Sequence, residues 1–254
     1  MNNTTHVKKI TALALLIFSY SLAFPATAAN GGSSFMTVQQ STTNTLSARQ
    51  QAIVLIASLM ATSNMDSLNA ALEQGLDAGL TVNESKEILV QLYAYTGFPR
   101  SLNALNELMK VVAARKQRGI HDIQGQEPVS KIPTGEELLR VGIANQTKIS
   151  GAPVQGPLFE FAPVINQFLQ THLFGDIFAR DNLDWPSREL ATVGALAATP
   201  GVEAQLLSHL RASLRVGLSG GQLQQAVNVL REQGEIDAAA RAEQALQQAL
   251  ATSK

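Results

Sequence analysis

The chain has 254 residues and a formal net charge of -1, with 45% hydrophobic and 15% charged residues. That length can bury a sizeable core in one or two small domains, and the charge balance excludes a general basic field for nucleic acid or for an anionic membrane. The absence of cysteine excludes disulfides, thiolate metal sites and thiol redox chemistry carried by this chain alone, and aromatic residues at only 5%, against abundant Ala, Leu and Gln, favour helices over sheets.

Residues 1–28 read as a secretory signal peptide. Lys8 and Lys9 make a short positive region, Ile10 to Phe24 is an apolar run, and Ala26-Thr27-Ala28 supplies the small-x-small pattern before a cut after Ala28. The run is short against the roughly 20 residues a bilayer span needs. An uncleaved anchor is the alternative; after cleavage no stable membrane anchor is expected, and the mature protein is expected to be periplasmic or secreted, where a cysteine-free chain is at home. Residues 29–45, rich in Gly, Ser, Thr, Asn and Gln, read as a flexible lead-in.

A first helical unit is expected over 46–118. Ile53, Val54, Ile56, Ala57 and Met60 recur at helical spacing, and Ser47 with Gln50 has capping-box spacing. Thr62-Ser63-Asn64 breaks this helix. A second follows over Met65 to Ala78, with Leu68, Leu72 and Leu76 in i+4 steps and Gly79 as its stop. Thr81 and Glu84 form a capping box that opens a helix to Tyr95, Gly97-Phe98-Pro99 ends it, and a further helix runs from Ser101 to about Lys116. Arg115, Lys116 and Arg118 at its end are read as charges that suit the helix dipole.

Residues 119–135 are read as a linker, and 136–251 as a second unit. Its expected helices are Glu136 to Gln146, a largely helical Phe159 to Phe178 with an aromatic face, a helix capped by Asp184 that carries Pro186 in its first turn, Val202 to Val216, Gly220 to Glu232, and Ile236 to Ala251. Laying 51–92 over 189–230 without gaps pairs Leu68 with Leu206, Leu72 with Leu210, Leu76 with Leu214, Gly79 with Gly217 and Leu92 with Leu230, with every break in register. This reads as an internal duplication.

At these residues the chain resembles a known family. Asp77-Ala78-Gly79-Leu80-Thr81, Glu87 and Tyr93-Ala94-Tyr95-Thr96-Gly97-Phe98-Pro99 in the first unit resemble the carboxymuconolactone decarboxylase family, as do Phe174 to Arg180, Arg188-Glu189-Leu190 and His209-Leu210-Arg211 in the second. The resemblance implies an all-α fold of two tandem carboxymuconolactone decarboxylase-like helical units, similar to alkyl hydroperoxidase D, assembled as a homo-oligomer such as a trimer or hexamer. It implies one of two chemistries: decarboxylation of a small lactone acid, or peroxide reduction through a Cys-x-x-Cys pair. The positions for those cysteines fall at about Asn64 and Ser67, and at about Gly201 to Gln205, none of them a thiol, so thiol peroxidase activity is not expected. The family's lactone pathways are cytosolic, which an exported chain would not share.

Glu189 opens one helix and His209 sits on the next, across a tight break. A carboxylate beside an imidazole fixes its tautomer, a usual acid–base arrangement. His209 is the candidate proton donor, Glu189 its orienting group, and Arg180, Arg188 or Arg211 the clamp for a substrate carboxylate. The first unit has Gln51 and Ala71 at the corresponding positions but keeps Tyr93, Tyr95 and Arg100. A single composite site is therefore expected, with Tyr93, Tyr95 or Arg100 facing Glu189 and His209; packing is the alternative for the tyrosines, and a helix–helix contact for the pair. The expected activity is that of a cofactor-free lyase or isomerase on a small anionic lactone or unsaturated acid. A non-catalytic binding or assembly protein on the same fold is the alternative. His121 and His172 lack partners at metal-ligand spacing, so no metal site is expected.

Overall fold

The computed structural model describes residues 44–252. The expected signal peptide and most of the lead-in lie outside the described residues. Within them the protein is helical, with no strand, and no helix is long and apolar enough to cross a membrane.

The sequence signals set most of the helix ends. Ser47 and Gln50 form the capping box of α1 (Ala48–Ala61), Asn64 caps α2 (Met65–Asp77), and Thr81 with Glu84 boxes α3 (Val82–Gln91). A four-residue turn, α4 (Tyr93–Thr96), follows. The next helix, α5 (Phe98–Gln117), starts earlier than expected, at Phe98. Gly97, at φ 84°, turns the chain, and Pro99 fits the first turn, where no N–H is needed. Gly-Phe-Pro therefore both stops one helix and starts another.

Residues 118–135 carry no helix, but they are not a free tether. The carbonyls of Ile123 and Gln124 accept from the backbone N–H of Val82 and Asn83, satisfying donors at the start of α3. Arg115 does more than answer a helix dipole. It is buried and donates to both Asp122 oxygens and to Asp77, and these carboxylates hold it above the usual arginine range despite its desolvation.

The second half begins with α6 (Glu136–Ser150), one turn longer than expected, and the short helices α7 (Pro157–Phe161) and α8 (Pro163–Phe168). Residues Leu169–Ile177 form a π-helix. Its wide turn lies against α6 at glycines: a Cβ on Gly142 would fall 1.6 Å from the Gln170 carbonyl oxygen, and one on Gly175 would meet Leu138. The stretch from Phe159 to Phe178, expected to be largely helical, is helical in three pieces. Then come α9 (Trp185–Ala198), capped by Asp184, α10 (Glu203–Arg215), α11 (Gly220–Glu232) and α12 (Ile236–Ala251).

The centre of the protein is α1 against α9. Ile53 to Ala61 and Ser187 to Ala198 are buried without interruption, the second run including the charged Arg188 and Glu189. Gly194 permits the contact, since a Cβ there would lie 2.5 Å from the Val54 carbonyl oxygen. The main core takes residues from both halves, and a smaller cluster of Ile149, Leu173, Phe174, Ile177, Phe178 and Ala212 lies beside it. Helices α2 and α10, α3 and α11, and α5 and α12 begin at one constant spacing along the chain. Gly79 and Gly217 follow the α2 and α10 C-termini with φ of 96° and 108°.

Candidate functional site

Asp184 fixes the start of α9. Its side chain accepts from the Ser187 N–H at 2.7 Å, and Trp185 Nε1 donates to the Phe178 carbonyl. With that start set, Arg188 and Glu189 are sent in different directions. Thr199-Pro200-Gly201 then reverses the chain, Gly201 taking φ 85°, and α10 returns alongside α9. This brings His209 Nδ1 to 2.8 Å from Glu189 Oε2. The carboxylate fixes Nδ1 as the protonated nitrogen and leaves Nε2 for exchange. Glu189 is fully buried, while the His209 side chain keeps 16% exposure, so the imidazole is the pair's outlet to solvent. Glu189 Oε1 is buried without a hydrogen-bond partner.

Tyr95 of α4 meets this pair from the first half. Its ring stands edge-on to His209, centroids 5.3 Å apart. The hydroxyl is buried near Thr192 with no hydrogen bond of good geometry. Burial pushes its pKa far up, and the Glu189 carboxylate adds to the shift, so it stays protonated as a neutral donor. The expected facing of Tyr95 and His209 is present. Tyr93 turns away, stacking on Phe98 with centroids 4.2 Å apart and lying 5.6 Å from His172.

His209 opens on a cleft of about 290 Å³, lined also by Ile149, Val154, Phe174, Ser208, Arg211 and Arg215. Arg211 donates to Thr252 Oγ1 at 3.2 Å. Neither Arg211 nor Arg215 has a carboxylate partner among the described residues. Two guanidiniums one helical turn apart, with an imidazole on the same cleft, form a site for a small anion with a proton donor at hand. Arg215 and the α6 wall were missed in the sequence. Arg215 does stand four residues after Arg211 on one helix, which was a usable signal.

The other expected arginines do not join this cleft. Arg188 is fully buried: Nη1 donates to Gln91 Oε1, and Nη2 to Glu87 Oε1 and to the Arg180 carbonyl. Arg180 donates through Nε to both Glu87 oxygens, at 2.8 and 3.0 Å. Burial alone would raise the Glu87 pKa, but the two guanidiniums overcome it and hold the carboxyl below its usual range. Arg180 and Arg188 are therefore occupied by Glu87 rather than available as substrate clamps. Arg100 is exposed, donates to the Thr96 carbonyl and lines a different cleft with Glu235 and Arg241. His172 does have a partner, Asp176 Oδ2 at 2.7 Å, one turn along its own helix. Among the described residues no three His, Asp or Glu side chains converge as metal ligands.

A family model described as the Carboxymuconolactone decarboxylase family matches residues 163–248. The match takes in Glu189, His209, Arg211 and Arg215 and leaves out the helices before residue 163. No curated protein compared with the chain matches it.

Proposed function

We propose, from the match of residues 163–248 to the carboxymuconolactone decarboxylase family model, that the protein is an acid–base lyase or isomerase acting on a small anionic lactone or unsaturated acid. The observation that carries the reading is the 2.8 Å contact between Glu189 and His209 at the head of a cleft holding Arg211 and Arg215. The guanidiniums hold a substrate carboxylate, and Phe174 and Ile149 cover its carbon skeleton. For a β,γ-unsaturated acid, the C–C bond to the leaving carboxylate breaks and its electron pair forms a new double bond. The pair of the old double bond takes a proton from His209 Nε2, and CO₂ departs. Glu189 stabilises the imidazolium before transfer, and water restores its proton. Tyr95, as a neutral donor beside the pair, completes a site drawn from both halves. The same proposal takes these halves as copies of one duplicated unit, and the chain as exported.

The test is a screen of lactone and keto acids with the purified mature protein, read by product formation. Turnover of one of these substrates, lowered about 100-fold or more in kcat/KM by His209→Ala, is the expected result. A His209→Ala protein with full activity on that substrate overturns the assignment.

A further inference from the structure

A second cleft, of about 490 Å³, opens where α1 and α9 end and α12 begins. That volume suits a small organic molecule. Its walls include Thr62 and Thr199, the C-caps of α1 and α9, and Glu235, the N-cap of α12. It shares no lining residue with the His209 cleft, and the acid–base chemistry makes no use of it.

Opposite charges line this cleft without pairing. Glu235 is fixed from beneath: Ser58, fully buried in α1, donates its hydroxyl to Glu235 Oε2 at 3.2 Å. Arg241 is fixed by the main chain, its Nε donating to the Ala197 carbonyl at 2.8 Å. Neither group forms an ion pair among the described residues. Glu203, which feels the Arg241 charge, is engaged instead by the Gly201 N–H at 3.0 Å. Arg100, exposed on the same cleft, donates to the Thr96 carbonyl and meets no carboxylate. The ends of α1 and α9 bring carbonyls to the cleft, and α12, whose N-cap makes no side-chain bond, brings open N–H groups. Charges of both signs, tied to the frame rather than to each other, are ready to be bridged by a molecule that carries both. A bare anion would be repelled by Glu235 and Asp237, and a bare cation by the two arginines, so each is the poorer occupant.

We propose that this cleft binds a small zwitterion of the amino-acid class, at a site separate from the acid–base pair. Arg241 and Arg100 take its carboxylate, and Glu235 takes its ammonium. The bound molecule ties the ends of α1 and α9 to the start of α12, so it stabilises the folded chain.

The experiment is calorimetric titration of the purified protein with the common α-amino acids and with short ω-amino acids, with thermal unfolding as a second readout. At least one of them is expected to bind with a Kd at or below about 1 mM and to raise the thermal midpoint. Acetate and ethylamine, each carrying one of the two charges, are expected to bind about tenfold more weakly or worse. Glu235→Gln and Arg241→Gln are each expected to weaken binding about tenfold or more, with circular dichroism as the check on folding. Arg100→Ala, whose side chain stands in solvent, is expected to weaken it in a chain that folds as the wild type does. His209→Ala is expected to leave binding unchanged, which separates this site from the proposed activity. No binding of any of these amino acids at about ten times that concentration overturns the proposal. So does binding that acetate alone matches, that the three cleft variants leave unchanged, or that His209→Ala abolishes.

Discussion

Glu87 and Glu189 are both buried carboxylates, on α3 and α9, two helices that touch near the middle of the protein. They are partnered in different ways. Glu87 receives two guanidiniums and the Asn182 amide, and both of its oxygens are engaged. Glu189 has one contact, to an imidazole, and its second oxygen has none. Arginine does not give up its proton in the working range of a protein, so the Glu87 cluster has no proton to exchange and serves to lock α3 to α9. Histidine does exchange, so the Glu189 contact can pass a proton to whatever reaches His209. The neighbours Arg188 and Glu189 thus divide the work: one anchors the helix, and the other equips the cleft.

The comparison is broken most directly by removing each charge in turn. Glu87→Gln leaves Arg188 buried without a carboxylate and is expected to cost roughly 3–5 kcal/mol of unfolding free energy in urea titrations. Glu189→Gln should cost no more than about 1 kcal/mol there, because a glutamine oxygen can still accept from His209 Nδ1, while activity on any substrate found falls. Equal losses of stability would erase the distinction.

Acid gives a smaller and graded test. The folded Glu87 pKa lies below its unfolded value, so the cluster contributes its full stability above the ordinary carboxylate range and loses it as pH falls through the depressed folded value. Thermal midpoints should fall on acidification below about pH 4.3, and less so in Glu87→Gln than in the wild type. The smallest expected effect is at Tyr95. Its hydroxyl is buried and unpartnered, so Tyr95→Phe should shift stability by no more than about 0.5 kcal/mol, in either direction. A large loss on that substitution would mean that the hydroxyl holds the fold rather than serving the cleft.

Much of the helical layout was legible locally. Ser47 with Gln50, Thr81 with Glu84, and Asp184 act within a single turn, and the structure shows each as a cap. The bounds of α12 follow its sequence signals from Ile236 to Ala251. What was hidden depends on distant partners. Arg188 finds Glu87 101 positions away, so a side chain beside Glu189 that looked free for substrate proves to be occupied. The π-helix depends on how closely α6 approaches at Gly142, which no periodicity in Leu169–Ile177 announces. The Glu189–His209 pair was legible because a tight reversal joins its two helices. The role of Arg215 was harder to see, since the cleft wall it shares comes partly from α6.

The pairing of α1 with α9 also dictates an order of assembly. The face of α1 that carries Val54 and Ala57 has no cover until Gly194 arrives, late in synthesis. Helices α1 to α5 can form and meet locally as they emerge, but they stay an open layer with their central helix exposed. Such long-range closure is slow, because the chain between the two helices must be gathered before their contact repays it. A chain still being made is therefore held short of its native state by its own topology, and closes only once its last third is free.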